Sequence, residues 1–378
     1  MKGRISPRLR RARPREGSRR EARALRAIAL LALALAAAPS LAGEEGPPGF
    51  SLGGSIESRA FAACALANDD SDPVFGYGSA STLSLELRAQ SGGDDGMVRA
   101  EASFEASILS GMAATMSDPA LSARMRTLYV KAAKGPFSAQ AGRQVVNFGS
   151  GKLWRPSDLF DELDLSALSP SRLGADALRL NAALGETGEL ALVGVPTADP
   201  GLGRYALRAR LSPGGSDIGL VAAREGGRAS WVAGADARID LGVSLYADAV
   251  CEIPDGLLLS GEGEASARAA AGADWSAPVG ESGRLLFEGE YYYNGSGALA
   301  DPLFPGSHNA YASAAWSVDE YLGLSLSCLW APGEGSLKAT ASAAWNLAQG
   351  AALKAYARAA IADGSGAFDG GASLSLYF

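Results

Sequence analysis

The sequence predicts an all-β chain, a closed antiparallel transmembrane β-barrel of 16–18 strands with a long third external loop folded inward. Three observations predict it. Apolar and polar residues alternate over stretches of about ten residues from Phe50 to the last residue, the period of a strand with one apolar face. The connections between these stretches alternate between short and long. Beyond the first 42 residues no run approaches the roughly 18 apolar residues of a membrane helix, and the chain ends on Phe378.

The amino terminus is a separate piece. Eleven basic residues lie between Lys2 and Arg26, against Glu16 and Glu21 alone. An apolar run, Ala27 to Ala38, and then Ser40-Leu41-Ala42 follow. This is the charged region, short apolar core and small-residue cleavage site of a signal peptide. The expected division is therefore 1–42 signal peptide and 43–378 barrel. The whole chain has 34 basic and 41 acidic residues; without the first 42 it keeps 23 and 39, a net charge of −16.

Eighteen alternating segments follow, at 50–66, 79–90, 96–109, 121–133, 136–149, 173–185, 187–195, 203–212, 215–225, 228–238, 241–252, 264–276, 282–294, 308–318, 320–331, 335–347, 350–362 and 369–378. The third shows the pattern best: Val98, Ala100, Ala102, Phe104 and Ala106 oppose Arg99, Glu101, Ser103 and Glu105. Segments 187–195 and 215–225 are the weakest, and sixteen strands remain without them. Connections after even-numbered segments are tight (Lys134-Gly135, Pro213-Gly214, Ile239-Asp240). The long ones, such as 110–120, 150–172 and 295–307, follow odd-numbered segments. Outer-membrane barrels have this asymmetry, with tight periplasmic turns and longer external loops.

At the carboxy terminus Leu374, Leu376 and Phe378 share one face, the form of the assembly signal read by the barrel-assembly machinery. The partners this implies are that machinery, outer-membrane lipid and small hydrophilic solutes, with no nucleic acid. Cys64, Cys251 and Cys328 fall on lipid-facing positions, where they act as small apolar residues. No disulfide, metal site or cofactor is expected.

The stretch Gly142–Asp164 carries the functional expectation. Its strand-like start ends in a glycine hinge, Gly149 and Gly151, and alternation then stops. Trp154, Leu159 and Phe160 give the loop something to pack with, Pro156 holds it extended, and Asp158, Asp161, Glu162 and Asp164 make it acidic. Inward positions on neighbouring strands carry Arg124, Arg126, Arg143 and Arg179, because arginine is costly on the lipid face. Loop 150–172, folded inward opposite these arginines, is expected to form a charged constriction.

G-R-Q-V-V-N-F-G-S-G followed by P-S-D-L-F resembles a segment of porin-like outer-membrane proteins, in which the third loop lines the pore. The match covers about two dozen residues; elsewhere the likeness is architectural. The acidic-loop motif of general trimeric porins is absent. The resemblance implies a channel for passive diffusion of small hydrophilic solutes in the outer membrane. A structural or adhesive barrel without an open channel is the alternative. An outer-membrane hydrolase fits worse: His308, the sole histidine, lacks a serine two positions on, and no nucleophile, base and orienter assemble into a catalytic set.

Overall fold

A computed structural model describes residues 49–66, 73–93, 96–112, 120–160, 162–164, 171–295, 304, 306–362 and 365–378. The expected signal peptide lies outside these residues, as does Asp161.

The strands are β1 (Gly49–Leu66), β2 (Val74–Gly93), β3 (Gly96–Met112), β4 (Ala120–Lys134) and β5 (Phe137–Gln144). A small hairpin follows, β6 (Glu162–Asp164) and β7 (Ser171–Leu173). Next come β8 (Ala175–Leu184), β9 (Gly188–Val195), β10 (Arg204–Leu211), β11 (Ser216–Glu225), β12 (Ser230–Asp240) and β13 (Ser244–Pro254). The chain finishes with β14 (Ser266–Val279), β15 (Gly283–Asn294), β16 (His308–Ser317), β17 (Leu322–Ala331), β18 (Ser336–Ala348), β19 (Ala351–Ala362) and β20 (Ser365–Tyr377). Leaving out the β6–β7 hairpin, these form one antiparallel sheet of 18 strands, each paired with its neighbour in the chain. Pairing of β20 with β1, from Ser55↔Tyr377 to Leu66↔Gly366, closes it. Both weak segments are strands, β9 and β11, so the count is eighteen.

Alternation places the two faces. On β13, Ser244, Tyr246, Asp248, Val250 and Glu252 are buried inward, while Leu245 between them is 48% exposed on the outside. An exposed apolar outer face is what lipid covers. Five of the six tryptophans, Trp231, Trp275, Trp316, Trp330 and Trp345, sit on that face at 37–51% exposure, near strand ends where aromatic girdles form. The three cysteines lie on the outer face of β1, β13 and β17, unpaired. Turns at the tight end use glycine in the left-handed region, as at Gly135 (φ 55°) and Gly350 (φ 82°).

One boundary differs in a way that matters. The fifth strand was expected to run to residue 149, but β5 ends at Gln144. Gln144, Val146 and Phe148 keep their inward direction, at 1%, 0% and 1% exposure, because here the chain itself leaves the wall and enters the lumen. Alternation persists in the extended chain; the wall does not.

Candidate functional site: the lumenal strap

Residues 145–160 form a strap laid along the inside of the wall. Its first half packs Val146, Phe148 and Phe160 against inward Val193, Val221, Val232 and Val250 on β9 and β11–β13. Its second half packs Leu153 and Trp154 against Ala270, Tyr292 and Phe304, with Tyr311 and Leu329 at the margin. The Trp154 ring is stacked on Tyr292 at 5.3 Å and meets Phe304 edge-on at 5.3 Å. Phe148 and Phe160 meet edge-on at 5.9 Å, and the guanidinium of Arg208 lies 5.1 Å from the Phe148 ring. From β8 to β17 the strap therefore covers about half of the circumference.

Polar anchors run from strap donors to wall carboxylates. The backbone N–H groups of Lys152, Leu153 and Trp154 donate to Glu290 at 3.2, 3.0 and 2.8 Å. Ser157 donates from its N–H and its hydroxyl to Asp248 at 3.1 and 2.9 Å. The Ser150 hydroxyl donates to Asp236 at 2.6 Å, and Arg208 bonds both oxygens of the same carboxylate at 2.8 and 3.0 Å. Further wall arginines reach strap carbonyls: Arg204 to Leu159 at 2.9 Å and Arg268 to Pro156 at 3.2 Å. At the hinge Gly149 takes φ 82°, and a Cβ there would overlap the Asp248 carboxylate. A Cβ at Gly151 would overlap the Trp154 carbonyl. Both glycines are thus required by close approach.

The expected acid-to-arginine arrangement is reversed. Asp158 is buried and pairs at 2.6 Å with Arg172 of the same loop. Glu162 and Asp164 lie in β6, in register with Leu173 and Ser171 of β7. Arg124 and Arg126 share Glu105 on the adjacent strand, at 2.9 and 3.1 Å, with a bulge in the β3–β4 ladder between them. Arg179 bonds Asn181 and Glu189 on the wall. Arg143 is a correction: it shares a face with Leu128 and Asp176, its register partners, and that face is the outer one. There it makes a two-pronged ion pair with Asp176 at 2.9 and 2.8 Å. The positive φ of Gly142 (119°) lets β5 hug β4 just before this point. Arg155, within the strap, bonds Asn147 and the Gly151 carbonyl. Burial, and then the charge of Arg172, hold its guanidinium below the ordinary arginine range.

Glu290, Asp248 and Asp236 escape a reading of the loop alone. One signal was available: Asp236 and Asp248 are direct cross-strand partners on the inward face. Like charges directly opposed destabilise a sheet unless something else satisfies them, and here the strap and Arg208 do. His308 is on the outer face, its Nδ1 2.6 Å from the Tyr291 hydroxyl.

The two sides of the lumen differ in charge. Inward positions of β12–β15 carry Asp236, Asp248, Glu252, Asp274, Glu288 and Glu290. About half-way round, β1–β4 and β18–β20 carry Arg59, Arg88, Arg99, Arg124, Lys354 and Arg358. Most of these acids and bases are paired, for example Arg358 with Asp369 at 2.8 Å and Arg99 with Glu101 at 2.7 Å. Among the described residues, Arg59 and Lys354 have no carboxylate within 4.0 Å. They flank Ser373, the register partner of both.

No family model matches the chain, and no curated protein matches it. Solved structures do. Acinetobacter baumannii OccAB4 superposes with a TM-score of 0.58 at 10% identity, over 89% of this chain and 99% of that one. Pseudomonas aeruginosa OccK5 (OpdH) gives 0.55 at 8% identity, over 87% and 98%. Pseudomonas aeruginosa OpdK, solved with vanillate, gives 0.55 at 12% identity, over 87% and 100%. The class is thereby defined: the chain has the closed eighteen-stranded antiparallel barrel fold of outer-membrane porin structures.

Proposed function

We propose that this chain is an outer-membrane channel through which small hydrophilic solutes diffuse passively, anions more readily than cations. In this reading residues 1–42 direct export, the barrel-assembly machinery inserts the barrel, and lipid covers the apolar face. Loop 150–172 forms the constriction through its strap portion. The passage runs between the strap and the wall of β1–β4 and β18–β20, rather than between loop acids and the arginines named from sequence.

The observation that carries the reading is the division of charge. Of the acids of β12–β15, Asp236, Asp248, Asp274, Glu288 and Glu290 are taken up by the strap, by arginines and by Lys152, which lies 3.5 Å from Asp274 and 3.7 Å from Glu288, while Glu252 accepts from Ser230. Among the described residues, Arg59, Lys131, Lys338 and Lys354 on the uncovered wall have no carboxylate within 4.0 Å, against Glu57 as an unpaired acid, so the passage is positive although the chain as a whole is acidic. Walls of fixed charge sort solutes in pores. OpdK, a neighbour in fold, was solved with vanillate, an organic anion, which agrees with this choice.

Planar-bilayer recording of the purified protein tests it. Discrete conductance steps are expected, with a reversal potential in a KCl gradient displaced toward the chloride equilibrium value. A barrel that inserts without conducting is a structural or adhesive one. A displacement toward potassium would overturn the anion preference.

A further inference from the structure

Among the described lumenal carboxylates, Glu290 takes the most strap N–H groups, three against one for Asp248. It is 5% exposed, and among the described residues no lysine or arginine nitrogen lies within 4.0 Å of it. Its donors are three successive strap N–H groups and the Tyr246 hydroxyl at 3.2 Å. A buried charge met only by dipoles depends on all of them, and three buried N–H groups depend equally on their one acceptor. Carboxylate and strap are each other's polar solution.

The place of this contact matters. The strap's apolar anchors stand on either side, Phe148 before it and Trp154 at its end, and between them run Gly149, Ser150 and Gly151, which bury no large side chain. The strongest bond to Glu290 by distance, 2.8 Å, is the N–H of Trp154 itself. Releasing the carboxylate therefore frees the backbone that carries the ring stacked on Tyr292.

We propose that Glu290 is the positioning residue of the constriction: its carboxylate latches the strap at residues 152–154 and so sets the width of the passage. The part concerning width rests on the channel reading; the latch itself does not. A carboxylate offers only acceptors, whereas a glutamine amide presents one oxygen and a donor NH2 group. Glu290→Gln keeps the size of the side chain but turns a donor toward strap N–H groups.

The test uses the full folded barrel. Lys152–Leu153 is the strap's tryptic bond, since Arg155 precedes Pro156. In the parent protein it should resist trypsin; in E290Q it should be cut roughly tenfold faster or more, as expected for loss of charge-assisted hydrogen bonds. E290Q should also show larger unit conductance and greater open-channel noise. Tyr246→Phe, which removes one of the four donors but none of the strap bonds, should raise cleavage and noise by clearly less than E290Q does. Parent-like protection and conductance in E290Q would overturn the proposal. Should E290Q fail to assemble, hydrogen exchange on the parent decides: the amides of 152–154 must be the slowest of the strap, and fast exchange there overturns it. A parent barrel that does not conduct would defeat the channel reading, while proteolysis and exchange would still decide the latch.

Discussion

Phe378, the last residue, lies in register with Gly54. The N–H of each donates to the carbonyl of the other, at 3.0 and 2.9 Å, and the Phe378 ring lies 2.8 Å from where a Cβ on Gly54 would stand. Leu374 and Leu376 occupy the same outer face, opposite Ser58 and Ile56. The carboxy-terminal strand thus closes the barrel at its final residue.

Two perturbations of this closure should behave alike. Gly54→Val places methyl groups where the Phe378 ring lies, and deletion of Phe378 removes both hydrogen bonds. Each is expected to lower the amount of assembled barrel in the outer membrane and the temperature at which the folded band is lost on a denaturing gel. Export, read by signal-peptide removal, should continue. Parent-level assembly of both variants would show that closure does not depend on this contact.

Truncation of the strap's apolar anchors separates packing from the polar latch. Phe148 is 1% exposed between Phe160 and the Arg208 guanidinium. Phe148→Ala should cost about 3–5 kcal/mol of packing, enough to loosen the strap without opening the eighteen-strand closure. Higher conductance with an unchanged unfolding temperature of the barrel is expected. Conductance equal to that of the parent would mean the strap is held elsewhere.

Processing is open to direct measurement. Intact mass or amino-terminal sequencing of the membrane form should place its start at Gly43. A mature chain beginning at Met1 would remove the reason for assigning residues 1–42 to export.

The strands were legible because one face meets lipid and the other water, which imposes a period of two that a signal from loop length then reinforced. Observed and expected boundaries agree within about three residues for most strands. The strap was less legible. Its first residues, Val145 to Phe148, keep the strand period after leaving the wall, so nothing local marks the departure from β5. The destination depended on Asp236, Asp248 and Glu290, more than 80 residues further on, and no local pattern ties those acids to the strap. Arg143 sits on the outer face against its lipid cost because Asp176, its cross-strand partner, makes that exposure tolerable.

Selectivity gives the last prediction, and Arg143 supplies its control. Arg59 stacks over Phe61 at 5.6 Å and has no ion-pair partner among the described residues; Lys354 stands two strands away on the same inward row, across Ser373. Neutralising both, as Arg59→Gln with Lys354→Gln, removes uncompensated positive charge from the uncovered wall and breaks no ion pair. The anion preference should fall by a few-fold in permeability ratio, a modest change because the wet lumen screens charge over about 8 Å at physiological salt. The effect should grow at low salt. Arg143→Gln removes one positive charge as well, but from the outer face, where it is bonded to Asp176. It should leave the reversal potential unmoved. If R143Q shifts selectivity as far as the double variant does, net charge rather than lumenal placement governs permeation. If neither moves it, the uncovered wall is not in the conduction path.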